Sequence, residues 1–151
     1  FLNIGQTLLI TAGLVAVMVI WRELSLNTRA ATDFVDITGI LAADLQKSGV
    51  QTGMGTVFVP HTTAGVMLNE NADPDVLYDL KRALDQIFPD SLNVAHGEGN
   101  SAAHLKAALI GASVNLPVVD GRLKLGTWQG VYFCEFDGPR RRKLWVRWEG
   151  K

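Results

Sequence analysis

The segment FVPHTTAGVMLNENADP, residues 58–74, contains a transition from strand to helix. Within residues 55–68, apolar and β-branched residues lie on both sides of the Pro60-His61 pair, which predicts a strand, a break and a second strand. Asp73 and Pro74 then predict the start of a helix, with aspartate as N-cap and proline at the first helical position. This stretch therefore indicates a domain that combines strands and helices.

Three helices are predicted along the chain. The helix after Pro74 has apolar residues at helical spacing and ends at Pro89. A second helix, GILAADLQKSG, is predicted with Thr38 as its cap and Gly49 as its stop. A third, AAHLKAALIG, is predicted with Ser101 as its cap and Gly111 as its end. The apolar stripes are Leu77, Leu80, Leu84 and Ile87 in the first of these helices and Ile40, Leu41 and Leu45 in the second.

The remaining chain is rich in strand signals. The stretch SVNLPVVDGRLKLGTWQ, residues 113–129, alternates apolar residues around Asp120-Gly121, which predicts a hairpin with a tight primed turn. Residues 22–38 predict one or two strands around a polar turn, and GVYFCEFDG and RKLWVRWEG predict the last strands. The predicted fold is α+β: one compact domain of mixed, largely antiparallel strands with two or three helices.

Composition narrows the class of protein. The chain has 151 residues, 48% apolar and 19% charged, with a net charge of −1. This length suits one domain with a real core, and the lack of positive charge argues against a nucleic-acid partner. The single cysteine, Cys134, lies in the apolar run VYFCEF and is predicted to be a buried strand residue, so an internal disulfide and a cysteine metal cluster are excluded.

The N-terminal segment carries no charge before Arg22. Residues 1–20 are predicted to form an apolar helix, at ~1.5 Å per residue close to the thickness of a hydrocarbon core, ahead of a domain at residues 21–151. A signal peptide lacks support because no basic region precedes the apolar run. Phe1 and the apolar run resemble the N-terminus of a type IV pilin, although Gly5 stands where pilins usually carry a glutamate.

The N-terminal segment therefore has several interpretations: a membrane anchor, a filament-packing helix, or an extension before Met18 as the original start. If residues 1–17 are an extension, the protein is expected in the cytoplasm. If the helix is native, the expected location is a membrane or an extracellular filament.

The three histidines, His61, His96 and His104, all lie near a loop or the end of an element. Histidine exchanges protons near neutral pH and is the commonest metal ligand. They are therefore the candidate catalytic residues and the candidate ligands of a divalent metal, zinc or magnesium.

Other polar residues indicate an anion site. Asn69 and Glu70 precede a helix N-terminus, where backbone N–H groups favour an anion. The glycine-bearing loop HGEGNSAAH lets backbone amides approach a ligand closely. The candidate anion- or substrate-binding residues are Thr62, Asn69, Glu70, Asn100, Lys106, Trp128, Gln129 and Arg140. The predicted ligand is a phosphate-bearing small molecule. The simpler interpretation is that the same residues complete a strand break and a helix cap, and that the basic run at residues 140–143 is a solvated strand edge.

Four stretches, FVDIT, HTTAGVMLNENADPDV, AHLKAALIG and SVNLPVVDGRLKLGTWQGV, give the chain from about residue 18 to residue 150 a resemblance to the YjbQ family, also called secondary thiamine-phosphate synthase. The resemblance implies a compact α+β domain, commonly a homotrimer, with a polar pocket that contains His61, His96 and His104. Relatives usually have a longer acidic loop before the third histidine, which here is HGEGNSAAH with Glu98 in place of an aspartate.

The sequence is compatible with three functions. The resemblance implies weak thiamine-phosphate synthase activity, in which cations, usually with magnesium, stabilise a pyrophosphate leaving group. No Asp-rich magnesium motif is visible in the sequence, so high turnover is not expected. The alternatives are a metal- or phosphate-binding domain without catalysis and a structural subunit that packs in a filament through residues 1–20, in which case the homo-oligomer is helical.

Overall fold

The computed structural model describes residues 10–11 and 16–151. Within them the chain forms nine strands and three helices. The strands are β1 (Ile10–Thr11), β2 (Ala16–Asn27), β3 (Asp33–Asp36), β4 (Gly53–Phe58), β5 (Ala64–Glu70), β6 (Ser113–Val119), β7 (Arg122–Leu123), β8 (Gln129–Glu135) and β9 (Arg141–Gly150). The helices are α1 (Thr38–Ser48), α2 (Pro74–Ile87) and α3 (Ser101–Ile110).

The strands form two antiparallel sheets. The larger has the order β1-β2-β9-β4-β6-β7, and the smaller has the order β3-β8-β5. Every strand pair in both sheets is antiparallel. The α+β class and the antiparallel sheets are therefore confirmed.

Strand β8 lies at the centre of the core, and its alternate residues belong to two apolar clusters. Val131 and Phe133 pack in the larger cluster, with residues of α1, β4 and β9 such as Leu41 and Val146. The side chains between them lie in the smaller cluster, which includes Leu84 of α2 and Ala103 and Ala107 of α3 together with Tyr132 and Cys134. The small sheet therefore lies between the large sheet on one face and helices α2 and α3 on the other.

Several local predictions are confirmed. Asp120 and Gly121 have positive φ angles of 52° and 68°, as a primed turn requires. The Asp73 carboxylate accepts a 2.9 Å hydrogen bond from the Asp75 N–H, with Pro74 at the start of α2. Helix α1 ends at Gly49 with φ at 77°. Cys134 is buried, and burial raises the pKa of its thiol.

The predictions that Thr38 caps α1 and that Ser101 caps α3 are wrong. Thr38 is the first residue of α1, and its hydroxyl accepts a hydrogen bond from the Val131 N–H instead of capping the helix. Helix α3 likewise begins at Ser101, with Asn100 in the N-cap position and no capping side chain. The basic run is an edge in part: Arg141 and Lys143 are exposed and pair only with β2, because β4 pairs with β9 from Trp145 onward, whereas Arg142 is buried.

The predicted N-terminal helix is wrong where the structure describes the segment. Ala16 to Ile20 belong to β2, which pairs with β9 from Met18↔Gly150 to Asn27↔Arg141 and crosses the predicted boundary at residue 20 without a break. β-Branched residues such as Val19 and Ile20 favour a strand, and β9 supplies the partner for their backbone groups. Residues 1–9 and 12–15 lie outside the described part, and no described helix has the length and apolar character that crossing a bilayer requires.

Candidate functional site

Two of the three predicted histidines meet at the start of α3. The rings of His96 and His104 are perpendicular, with centroids 5.4 Å apart. They line one hollow of about 340 Å³, which we refer to as the histidine hollow. Its lining residues are Val94, His96, Ser101, His104 and Leu105. The chain brings the two rings together locally, because the loop from residue 96 leads directly into the first turn of α3.

The first turn of α3 supplies hydrogen-bond donors to the same place. The first N–H groups of a helix have no partner within the helix. Asn100, at the N-cap, donates its side-chain N–H to Asp137 at 3.1 Å instead of capping the helix. The start of α3 beside His104 therefore has polar N–H groups and the hydroxyl of Ser101, a combination suited to an anion.

A carboxylate also lies near the histidine pair. The Oε2 atom of Glu98 is 3.6 Å from Nε2 of His96, and both side chains are well exposed. This distance is too long for a hydrogen bond, although it brings opposite charges together when the imidazole is protonated. Glu98 therefore adds an exposed carboxylate beside the histidine pair.

His61 lies elsewhere in the described structure. Its Nε2 atom is 3.0 Å from the backbone nitrogen and 3.1 Å from the carbonyl oxygen of Lys143 in β9. Burial, together with the positive charge of Arg142, lowers the pKa of this histidine. His61 therefore serves as a neutral partner for the backbone of β9, and the exposed Thr62 follows it in the link to β5.

The amide and tryptophan candidates form a third group at the end of β5. Asn69 accepts a 2.8 Å hydrogen bond from the N–H of its neighbour Glu70. Gln129 accepts one of the same length from the Gly126 N–H and so closes the turn that carries Trp128. The Trp128 side chain is 65% exposed and is not part of the core.

The two predicted cations each have a carboxylate partner. Lys106 is buried, and its Nζ lies 2.6 Å from Oδ1 of Asp85 in α2. Arg140 contacts Asp137 at 3.1 Å, and Asp137 also accepts the hydrogen bond from Asn100. Within the described residues, the candidates are therefore divided among the histidine hollow, β9, the end of β5 and the α2–α3 contact.

Sequence reasoning missed a buried ion pair below His61. The Glu135 carboxylate is fully buried and accepts hydrogen bonds from Arg142 Nε at 2.7 Å and from the Thr28 hydroxyl at 3.0 Å. Burial raises the pKa of Glu135, but the hydrogen bonds from Arg142 and the backbone outweigh it, so the pKa lies below its ordinary value. The signal was a glutamate inside the apolar run VYFCEF, since a charge in a buried strand requires a partner.

Metal ligation by three side chains has no support in the described part of the chain. No group of three or more histidine, cysteine, aspartate or glutamate side chains there is arranged to hold a metal ion. The histidine hollow supplies two imidazoles, and the third predicted ligand, His61, contacts Lys143. The geometry that is present suits an anion better than a closed metal site.

Comparison with solved structures supports the fold. The crystal structure of an uncharacterized conserved protein of the YjbQ/UPF0047 family from Clostridium acetobutylicum superposes with a TM-score of 0.80 at 53% identity, covering 82% of this chain and 96% of that one. A YbjQ-like protein of unknown function from Sulfolobus solfataricus gives a TM-score of 0.85 at 31% identity, covering 89% and 99%.

Sequence comparison points the same way. UPF0047 protein YugU of Bacillus subtilis is 46% identical over 130 residues, covering 85% of this chain and 98% of that protein. UPF0047 protein MJ1081 of Methanocaldococcus jannaschii is 45% identical over 122 residues, covering 81% and 88%. The family profile described as UPF0047 protein YjbQ-like matches residues 22–151. The chain therefore belongs to the YjbQ-like UPF0047 family.

Proposed function

We propose that this chain binds a phosphate-bearing small molecule in the histidine hollow and that His96 and His104 exchange protons with it. The observation that carries the proposal is the contact of these two rings, with centroids 5.4 Å apart, at the wall of one hollow. Protonated imidazoles donate from both nitrogens, so two of them side by side can hold an anion and transfer a proton to it.

The rest of the hollow suits the two ends of such a ligand. Ser101 and the N–H groups at the start of α3 would bind phosphate oxygens, because a helix N-terminus carries partial positive charge. Val94 and Leu105 form an apolar wall against which an organic ring would pack. The volume of about 340 Å³ is at the small end of the range for ligand sites.

The reaction that we propose is a slow transfer of the thiamine-phosphate synthase type. In it, a pyrimidine methylene carbon forms a bond to a thiazole nitrogen as its bond to pyrophosphate breaks. The two imidazoles would stabilise the departing pyrophosphate as cations and protonate it. The hollow is open and its histidines are partly exposed, so water competes with these contacts and turnover would be low.

The assay supplies the purified protein with the pyrimidine pyrophosphate, the thiazole phosphate and magnesium, and measures thiamine phosphate by chromatography. Product should exceed background and should fall in His96→Ala and His104→Ala, whereas Lys47→Ala, at the exposed end of α1, should match the wild type. If the folded wild type gives no product, the proposed transfer reaction is wrong. If both histidine variants bind phosphate as tightly as the wild type does, the proposed binding site is wrong as well.

A divalent metal at the histidines is a separate proposal with a separate test. Two imidazoles with nearby Glu98 offer an incomplete ligand set for zinc. Zinc affinity should fall in His104→Ala if the metal binds in the hollow, and it should also fall in His61→Ala if all three histidines take part. Equal zinc affinity in the wild type and both variants would contradict a metal site at these histidines.

A homo-oligomer, with a trimer implied by the family resemblance, is also proposed. The outward face of the large sheet carries stacked rings of Phe58 and Trp145, with centroids 5.7 Å apart, and the 45% exposed Trp21 with the Arg147 guanidinium over its ring. Aromatic and arginine side chains are enriched at protein interfaces. Light scattering should give a multiple of the chain mass and a lower mass for Trp145→Glu, and a monomeric wild type would contradict this proposal.

A further inference from the structure

A second hollow, of about 450 Å³, lies between α2 and α3. Its wall contains residues 30–32 together with Lys81, Asp85, Pro89, Asp90, Lys106 and Phe136, and we refer to it as the α2–α3 hollow. The volume is within the range of about 300–1,000 Å³ that small-molecule sites occupy. The wall combines two ammonium groups and two carboxylates with the apolar surface of Pro89 and Phe136.

Lys106 is the unusual member of this wall. Only 5% of the residue is exposed, and within the described part of the chain its ammonium group donates one hydrogen bond, to Asp85 at 2.6 Å. A lysine ammonium has three N–H donors, and burying it is costly unless they are satisfied. Two donors of a buried cation are therefore left for a partner in the hollow that Lys106 lines.

Asp85 holds a second cation at the same place. Its other oxygen accepts a 2.7 Å hydrogen bond from Lys81, one turn earlier on α2. Burial raises the pKa of Asp85, but the hydrogen bonds from Lys106 and Lys81 outweigh it and lower the pKa, so the carboxylate stays ionised. Lys81 and Asp90 are both exposed, and the two ammonium groups and two carboxylates of the wall balance formally, so the buried Lys106 is the feature that favours an anion.

We propose that the α2–α3 hollow binds a phosphate monoester of an aromatic or apolar molecule. The phosphate would contact Lys81 and Lys106, since lysine binds phosphate as a compact positive charge. The organic part would pack against Phe136 and Pro89. Asp85 is the positioning residue, because it fixes the two ammonium groups within reach of one phosphate.

The α2–α3 hollow is distinct from the histidine hollow, and this inference does not depend on the proposed function. His104 and Lys106 are two residues apart on α3, and residues at this spacing point to different sides of a helix. The two hollows share no lining residue. The histidine hollow lies on the side of Val94 and Leu105, whereas the α2–α3 hollow lies on the side of α2.

The test uses phenyl phosphate as the probe, with calorimetry for affinity and NMR of the lysine ammonium and imidazole nitrogens for location. In the wild type the Lys81 and Lys106 signals should move and saturate. Lys81→Met and Lys106→Met should each weaken this binding by about tenfold, because each loses one charge-assisted contact. The exposed Lys124→Met is the matched control and should bind as the wild type does, and His104→Ala should leave the lysine shifts intact.

Each remaining outcome decides against the proposal. Phenyl phosphate that moves only imidazole signals would support the histidine hollow and overturn this second site. Affinity at the lysines that is unchanged in Lys81→Met, or no lysine shift at millimolar phenyl phosphate, would also overturn it. Because Lys81 is exposed, Lys81→Met is expected to fold. If Lys106→Met does not fold, the phenyl phosphate affinity of Lys81→Met tests the site.

Discussion

The His61 imidazole contacts the backbone of Lys143 in β9 at a point where no described strand pairs with β9 on that side. In the pairing of β4 with β9, Phe58 and Trp145 are the last partners, and Nε2 of His61 then lies 3.0 Å from the Lys143 nitrogen. Where β4 turns away, a side chain supplies the hydrogen bond that a strand would otherwise make. His61 is thus tied to the fold, whereas His96 and His104 face a hollow.

His61→Ala is expected to destabilise the domain by about 1 kcal/mol, the worth of one hydrogen bond. Burial lowers the pKa of His61 below its ordinary 6.5, so the unfolded chain takes up its proton first as the pH falls. This part of the stability is therefore complete above about pH 6.5 and declines below it, down to the folded pKa.

Urea unfolding at a series of pH values checks this expectation. The free energy of unfolding of His61→Ala should fall less between neutral and mildly acidic pH than that of the wild type. Lys47→Ala, an exposed change that keeps all three histidines, serves as the control and should keep the wild-type profile. Parallel profiles for His61→Ala and the wild type would show that this ring titrates normally in the folded state.

Removing one member of the Glu135–Arg142 ion pair should lower the free energy of unfolding strongly. Arg142→Met leaves a fully buried carboxylate without its main partner, so we expect a loss of about 3–5 kcal/mol. The double variant Glu135→Leu/Arg142→Met removes both charges and should recover part of this loss, as measured by chemical denaturation. A loss below about 1 kcal/mol in Arg142→Met would mean that solvent reaches the Glu135 carboxylate.

Gly55 is predicted to be required by the packing of Trp148. A Cβ atom built on Gly55 would lie 2.2 Å from Cζ3 of the Trp148 ring, which is fully buried and donates a 2.7 Å hydrogen bond to Asp44. Gly55→Ala should therefore destabilise the domain by about 1–3 kcal/mol. Gly39→Ala is the matched control: its Cβ has no neighbour within 4 Å, so it should be neutral or stabilise α1.

Local signals predicted much of the fold. Asp120-Gly121, Asp73-Pro74 and Gly49 each act through their own backbone angles or neighbouring N–H groups, so a short window contains the cause. The apolar composition of the segment before Trp21 is compatible with a helix or a strand, and its length favoured the prediction of a helix. Its partner β9 lies more than 100 residues away, and only this pairing makes it a strand where it is described.

The same distinction applies to the candidate site. Only seven residues of loop and helix lie between His96 and His104, so their proximity is visible in the sequence. The contact of Lys106 with Asp85 joins two helices, and the position of His61 depends on β9. Such contacts are set by tertiary packing. The family resemblance implied one pocket for all three histidines, whereas the described contacts separate them into two environments.

Binding of phosphate-bearing molecules in the histidine hollow can be followed by NMR of the imidazole nitrogens during titration with the thiazole phosphate. The His96 and His104 signals should move together and saturate with a single dissociation constant, while the His61 signal stays in place. A titration in which neither His96 nor His104 moves, or in which His61 moves with the same dissociation constant, would contradict it.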